Sequence, residues 1–364
     1  MGAGEVLLVA GARPNFVKVA PITWELRKRQ LPFSVVHTGQ HYDANMSDIF
    51  FRDLEMPLPD EHLGVGSGTH AEQTAKIMLA VEPVLARRKP GWVVVVGDVN
   101  STMAATLVAV KLRIPTAHVE AGLRSRDWEM PEEVNRVVTD RIADLLLTPS
   151  EDADENLRNE GVAAERIVRV GNVMIDCLAR YREAAMAREI PASLGLRRGN
   201  YAVMTLHRPS NVDQAGSLAG ILDGIEPLAA QMPIVLPVHP RTRARLEALG
   251  LSERASKLGG LRLIEPLGYL DFLGLTEGAR LVLTDSGGLQ EETSVLGIPC
   301  ITLRDNTERP ITVALGTNQV AGIRTEAIHA AIEAALAAQR SPRSIPLWDG
   351  HTAGRIVDAL LRRS

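Results

Sequence analysis

From Glu5 onward the chain alternates short aliphatic and β-branched runs with longer segments whose apolar positions recur near helical spacing. This is the pattern of βαβ units laid on a parallel sheet. EVLLVAG (5–11) predicts a strand, FVKVAPITWELRKR (16–29) the helix that follows it, and FSVVHTG (33–39) the next strand. WVVVVGD (92–98) carries four consecutive valines, the composition of a strand covered on both faces. STMAATLVAVKLR then predicts a helix, PTAHVEA a strand, and DLLLTPS (144–150) and RIVRVGN (166–172) two more. The rhythm breaks from about Met174 to Arg198, which is charged and helical and ends in the connection LGLRRGN. It restarts at YAVMTLH (201–207) and continues through IVLPVHP (234–240), LRLIEPL (261–267), RLVLTDS (280–286) and GIPCITL (297–303). Two parallel-sheet halves of similar size follow, with no shorter internal repeat. After the proline-rich SPRSIPLWDG, residues His351 to Arg363 predict one amphipathic helix able to pack on either half.

Length agrees with two halves, since 364 residues exceed what a single core ordinarily serves. A net charge of −4 argues against a nucleic-acid platform, which needs clustered Lys and Arg, but leaves room for a small phosphorylated ligand held by local charge. Cys177 and Cys300 stand far apart without metal-ligand spacing and read as buried thiols. The start, MGAGEVLLVAGARP, lacks the basic region, long apolar run and cleavage site of a signal peptide, and no stretch has the uninterrupted apolar length of a membrane span. The expected compartment is the cytoplasm, with no membrane partner.

The densest chemistry lies between Gly97 and Arg136, where Asp98, His118, Glu120, Arg124, Glu132, Glu133 and Arg136 fall at strand ends and loops around one crossover helix. The carboxyl ends of parallel strands are where open α/β sheets bind ligands. Acids gathered there in different surroundings suit proton removal on one face of a substrate and delivery on another. They are accompanied by no histidine at i+4 and no D-x-D loop, so proton transfer is expected rather than a metal centre. Glu132 and Glu133 also suit the start of the helix after Pro131, and only one of them need do chemistry.

Phosphate chemistry is suggested elsewhere. In GARPNFVK a strand turns into a helix at Gly11, where backbone N–H groups can meet an anion and Arg13 and Lys18 add charge. TDSGGLQEE is the stronger signal, because Ser286, Gly287 and Gly288 sit at a strand-to-helix turn with Glu291 and Glu292 expected in the first helical turn. A carboxylate there suits the helix dipole or grips a vicinal diol such as ribose. RDNTERP offers Arg309 to a diphosphate or to that carboxylate. TLHRPSN places His207 and Arg208 at another strand end, and His239 in PVHPRTR occupies a similar position. GVGSGTH (64–70) follows no clear strand and reads as a loop, not a dinucleotide site.

Taken in order and spacing, GARPNFVK, GDVNST, HVEAGLRS, MPEEVNR, TLHRPSN, TDSGGLQEE and RDNTERP, down to WDGHTAGRI, resemble the non-hydrolysing UDP-N-acetylglucosamine 2-epimerases over nearly the whole chain. The resemblance implies an α/β protein of glycosyltransferase-B type, two Rossmann-like domains facing across a cleft. Residues 1–173 would form the first, joined by the last helix (350–364), and residues 174–349 the second, UDP-binding one. It implies interconversion of UDP-GlcNAc and UDP-ManNAc through a bound 2-acetamidoglucal, by a homodimer using neither metal nor NAD. By motif position, Asp98, Glu120 and Glu132 become the proton-transfer groups. Arg13, Lys18 and His207 become contacts to diphosphate or sugar, with His207 also assisting the departure of UDP. Ser286, Gly287 and Gly288 would hold the phosphates, Glu292 the ribose and Arg309 the diphosphate, and Leu267 and Phe272 would line the uracil pocket.

The pattern departs from that of relatives activated by a second UDP-GlcNAc. Here QHYD (Gln40 to Asp43), Pro209 after Arg208, and Pro240-Arg241 after His239 stand at the activator positions, which leaves substrate activation open. Three other functions share the fold or the ligand: a hydrolysing relative that releases UDP and N-acetylmannosamine, a UDP-sugar glycosyltransferase, and a silent UDP-sugar sensor. UDP release separates them, since it is slight for an epimerase, stoichiometric for a hydrolase, acceptor-dependent for a transferase and absent for a sensor.

Overall fold

The structure is a computed structural model that describes residues 4–40, 51–238 and 240–363, with only the backbone of Arg13. The chain divides into two compact units, residues 1–180 with 346–364, and residues 181–345. The division falls inside the helix Val173–Ala187, so that helix serves both units, and the first also takes in Pro346 to Asp349 ahead of the terminal helix.

In the first unit, among the described residues, seven parallel strands run in the order β3-β2-β1-β4-β5-β6-β7. They are β1 (Val6–Ala10), β2 (Phe33–His37), β3 (Glu61–His62), β4 (Trp92–Val96), β5 (Thr116–Val119), β6 (Leu145–Thr148) and β7 (Ile167–Arg169). The valines of β4 are buried throughout, as a central strand with helices on both faces requires. Leu7, Val9, Val36, Val93 and Val95 pack on one face against Val81, Val84 and Leu85 of the helix His70–Arg88 and Val108 of the helix Asn100–Lys111. The terminal helix Thr352–Leu361 belongs to this unit, where the Arg29 side chain bonds Asp358 and the Gly354 carbonyl.

In the second unit, among the described residues, six parallel strands run β10-β9-β8-β11-β12-β13. They are β8 (Ala202–Thr205), β9 (Ile234–Pro237), β10 (Leu261–Ile264), β11 (Leu281–Thr284), β12 (Cys300–Thr302) and β13 (Asn318–Val320). One core joins Ala202, Met204, Leu236, Leu281, Leu283 and Ile301 to the helices Ala215–Gln231 and Thr325–Ala337.

Each strand expected from the apolar runs is present. The two-residue β3 and three-residue β13 carry no such run, and β3 pairs only at the sheet edge. The first helix begins at Arg13, three residues before the apolar spacing shows it, because Pro14 occupies its opening turn. Gly64 to Thr69 is a loop, and Thr69 caps the helix that follows by accepting a hydrogen bond from Glu72 N. Both cysteines are buried and free. Among the described residues no helix is long and apolar enough to cross a membrane.

Candidate functional site

The first group of site residues grows from the level ends of β4 and β5. Val95 pairs with His118 and Val96 with Val119, so the chain leaves both strands at the same height, and Gly97 N donates to Val119 O at 3.1 Å. Both exits turn through the left-handed region, at Gly97 (φ 67°) and at Glu120 (φ 75°). Gly97 tolerates this, but a glutamate there is strained by roughly 1–3 kcal/mol and persists only where its surroundings hold it. Glu120 N donates to Leu147 O at 3.0 Å, and its buried carboxylate is ion-paired with buried Lys18 of the helix Arg13–Lys28. Gly97 closes the group from the other side: a Cβ there would stand 3.0 Å from Lys18 Nζ and 3.4 Å from Glu120 Oε2. Asp98, the next residue, accepts from Arg136 Nη1 and stays partly exposed.

Behind these exits lies a buried polar chain. His118 Nε2 is 2.8 Å from Gly97 O and its Nδ1 is 2.6 Å from Asp140 Oδ1. The other Asp140 oxygen accepts from Gly122 N at 3.0 Å and Arg124 Nη1 at 2.7 Å, and Arg124 forms a two-pronged pair with Glu160. Burial works to raise the Asp140 carboxyl, but His118 and Arg124 outweigh it and hold it below the usual range. The chain thereby fixes the Gly97 carbonyl, and with it the placement of Asp98.

The helix Pro131–Ile142 supplies two acids with different roles. Glu133 is buried and accepts from Ser125 N at 3.0 Å, Arg126 N at 2.8 Å and Arg136 Nη2 at 2.6 Å. It holds the loop and the arginine that meets Asp98, whereas the neighbouring Glu132 is half-buried.

In the second unit, β8 and β11 end side by side, with Thr205 and Thr284 paired and their hydroxyls 2.6 Å apart. Asp285, fully buried at that end, accepts from His207 N (3.0 Å), Arg208 N (2.9 Å) and Asn211 Nδ2 (3.2 Å) and lies 2.8 Å from His207 Nδ1. Burial opposes its charge, yet His207 and these backbone donors keep its carboxyl below the ordinary value. The arrangement fixes the imidazole by Nδ1 and leaves the ring partly exposed.

Two residues later the helix Gly287–Leu296 begins, with Ser286 at its N-cap making no side-chain cap bond. Its first-turn N–H groups and the positive end of its dipole therefore suit an anion. Arg309 lies against this start, since a Cβ on Gly287 would meet Arg309 Nη1 at 2.3 Å. Arg309 Nε pairs with Glu291 at 2.7 Å and Nη1 with Glu308 at 2.8 Å. Glu292 is buried and accepts from the Tyr269 hydroxyl at 3.2 Å. Burial foremost, opposed by that hydrogen bond and aided by Glu291, pushes its carboxyl up to about 7. Leu267 and Phe272, both half-buried, flank the start of the helix Tyr269–Glu277, where Phe272 N donates to Gly268 O.

Two expectations change. The Gly11 turn is not an open anion cradle, because Asn15 Oδ1 accepts from both Gly11 N (2.9 Å) and Ala12 N (3.0 Å). Glu291 and Glu292 stand in the second helical turn, not the first, so side-chain partners rather than the dipole govern them. The Arg13 side chain, His41 to Asp43, and His239 lie outside what the structure describes, whereas Gln40 is buried and accepts from Ser101 N and Oγ. Among the described residues no group of three or more His, Cys, Asp or Glu side chains is placed to hold a metal. Sequence reasoning assigned no role to Asp285, Asp140 or Glu308, and for Asp285 the available signal was its place at the end of β11.

Two parallel-sheet units, one with ion-paired carboxylates at its strand ends and the other with an uncapped glycine turn flanked by arginine, define a nucleotide-sugar enzyme fold of glycosyltransferase-B type. The family model described as UDP-N-acetylglucosamine 2-epimerase matches residues 25–361, and the chain belongs to that family. It is 43% identical, over 97% of its length and 98% of the relative's, to the UDP-N-acetylglucosamine 2-epimerase of Methanocaldococcus jannaschii. It is 42% identical, over 89% and 90%, to the UDP-2,3-diacetamido-2,3-dideoxy-D-glucuronate 2-epimerase of Pseudomonas aeruginosa. The crystal structure of the M. jannaschii enzyme in complex with UDP-GlcNAc and UDP superposes with a TM-score of 0.93, covering 98% of this chain and 99% of that one.

Proposed function

We propose that this protein interconverts UDP-GlcNAc and UDP-ManNAc without net hydrolysis and without a metal ion or nicotinamide cofactor. The observation that most supports this is the full-length match to UDP-N-acetylglucosamine 2-epimerases, which runs through all the segments that carry strand-end groups.

The proton on C2 of a sugar is a poor acid, and its removal becomes feasible when the C1–O bond to UDP breaks with it. The C2–H electron pair then forms the C1=C2 bond of a glucal, and the C1–O pair leaves with the diphosphate. Return of a proton to the opposite face of C2 and of the UDP oxygen to C1 completes the epimerisation. In this reading Asp98, Glu120 and Glu132 are the proton-transfer groups, each contributing typically about 10²–10⁴ in rate where it acts as base or acid. Arg13 and Lys18 meet the diphosphate or sugar. The ring of His207, held through Nδ1 by Asp285, meets the leaving diphosphate. Ser286, Gly287 and Gly288 receive the phosphates at an uncapped helix start, with Arg309 beside them. Glu292 takes the ribose hydroxyls, and Leu267 and Phe272 line the uracil position.

Proton NMR with UDP-GlcNAc in deuterated water containing a chelator tests the reading. UDP-ManNAc carrying deuterium at C2, with little free UDP, is the expected product. Accumulating UDP with N-acetylmannosamine would establish the hydrolysing reaction instead. No turnover of UDP-GlcNAc, with turnover of a 3-acetamido or 6-carboxyl UDP-sugar, would move the substrate toward that of the P. aeruginosa relative. We also infer a cytoplasmic homodimer from the family resemblance, and light scattering that gave the mass of a single chain would reject the dimer.

A further inference from the structure

Glu308 is an acid beside the helix start proposed to receive phosphates. Its carboxylate is buried close to the start of the helix Gly287–Leu296, and a Cβ on Gly287 would lie 3.1 Å from its Oε1. At a site that receives phosphates, a fixed negative charge opposes the ligand. The same carboxylate is shared by three guanidiniums: Arg309 Nη1 at 2.8 Å, Arg304 Nη1 at 2.8 Å and Arg208 Nη2 at 3.5 Å. These come from separate places in the chain, Arg208 from the loop after β8 and the other two from the segment after β12. Thr307 anchors that segment by donating to Gln290 Oε1 at 2.6 Å, and Arg309 N donates to Thr307 Oγ1 at 3.1 Å. Arg309 also pairs with Glu291, but Glu308 is the carboxylate that all three guanidiniums share, and without it their mutual repulsion would shift their geometry, whose restoration on ligand binding would weaken it.

We propose that Glu308 is a positioning residue for diphosphate recognition, setting the guanidiniums of Arg309, Arg304 and Arg208 at the start of the helix Gly287–Leu296. The proposal rests on the UDP reading above and adds a residue that touches no substrate atom. Positioning and simple electrostatics predict opposite signs, because removing the charge while keeping the side chain's size strengthens anion binding if only the local potential matters, and weakens it if the guanidinium geometry matters.

The test is calorimetric titration of the full chain with UDP and with uridine, comparing the wild type with Glu308→Gln. Loss of the organiser should raise the Kd for UDP roughly tenfold while the Kd for uridine stays within about twofold. UDP affinity that rose or did not change would overturn the proposal. A parallel loss for both ligands would also overturn it, since a merely structural role moves uridine as much as UDP. If Glu308→Gln fails to fold, Arg304→Gln, which removes one of the shared partners, should shift UDP alone by about threefold in the same direction, and equal shifts for the two ligands would reject the idea. Wild-type protein that bound neither UDP nor uridine would overturn the nucleotide reading itself, and the proposal with it.

Discussion

The two units organise charge in opposite senses. In the first, acids stand at the strand ends and cations hold them: Lys18 pairs with Glu120, and Arg136 with Asp98. In the second, cations stand beside the uncapped glycine turn and after β8, and acids hold them: Glu291 and Glu308 pair with Arg309, and Asp285 with His207. A carboxylate that takes up and gives back protons must be fixed in direction, which a partner cation does. A guanidinium that receives a diphosphate must be fixed in direction before the ligand arrives, which a buried carboxylate does. On the roles proposed above, the same interaction would serve proton transfer in one unit and leaving-group binding in the other, and the difference lies in whether the acid or the cation is the group being held.

The sharpest way to break this comparison is to remove a holding group. Lys18→Met leaves Glu120 buried without its lysine and should destabilise the protein by about 3–5 kcal/mol in urea unfolding, with much of the loss recovered in the Lys18→Met/Glu120→Gln double variant. Equal loss in single and double variants would mean that the pair is not what holds Glu120. Next come the acids proposed for proton transfer. Asp98→Asn and Glu132→Gln should each cut turnover at least about 10²-fold while UDP affinity changes little, and unchanged turnover in either would remove that residue from the reaction.

Arg309→Ala reverses the pattern, because it removes the cation proposed for the diphosphate rather than a group that holds it. UDP affinity should fall roughly tenfold, and an unaltered Kd would reject its role at the diphosphate.

The smallest effect concerns Glu292, whose carboxyl is raised from 4.5 to about 7. The folded state therefore holds this proton more tightly than the unfolded chain. The stability it contributes is complete below about pH 4.5 and is lost as pH rises through about 7. Tyr269→Phe removes a hydrogen bond that favours the charged form, so it should cost about 1 kcal/mol at pH 8 and less at pH 5. Equal losses at the two pH values would show that the hydroxyl does not read the carboxylate's charge.

Much of this organisation is legible along the chain, because parallel strands buried on both faces must be apolar runs and their carboxyl ends must carry the ligand groups. The placement of Asp98, Glu120, His207 and Ser286 just after strand ends follows that way, from position relative to a run. Position alone did not separate Glu132 from Glu133, and only the family resemblance singled out Glu132; the fold shows that Glu133 turns inward to Ser125, Arg126 and Arg136. The Gly11 turn misled for a related reason: whether its N–H groups are open depends on Asn15, whose side chain folds back on them.

By itself, then, the sequence determined the two parallel sheets, the strand ends that carry charged groups, the glycine turn and the family, because each depends on local pattern and spacing. Only the tertiary structure decided which charged groups are partners. Glu120 meets Lys18 across 102 positions, His118 meets Asp140 across 22, and Glu308 meets Arg208 across 100. An ion pair's strength depends on separation in space and on exclusion of water, and neither is encoded in separation along the chain.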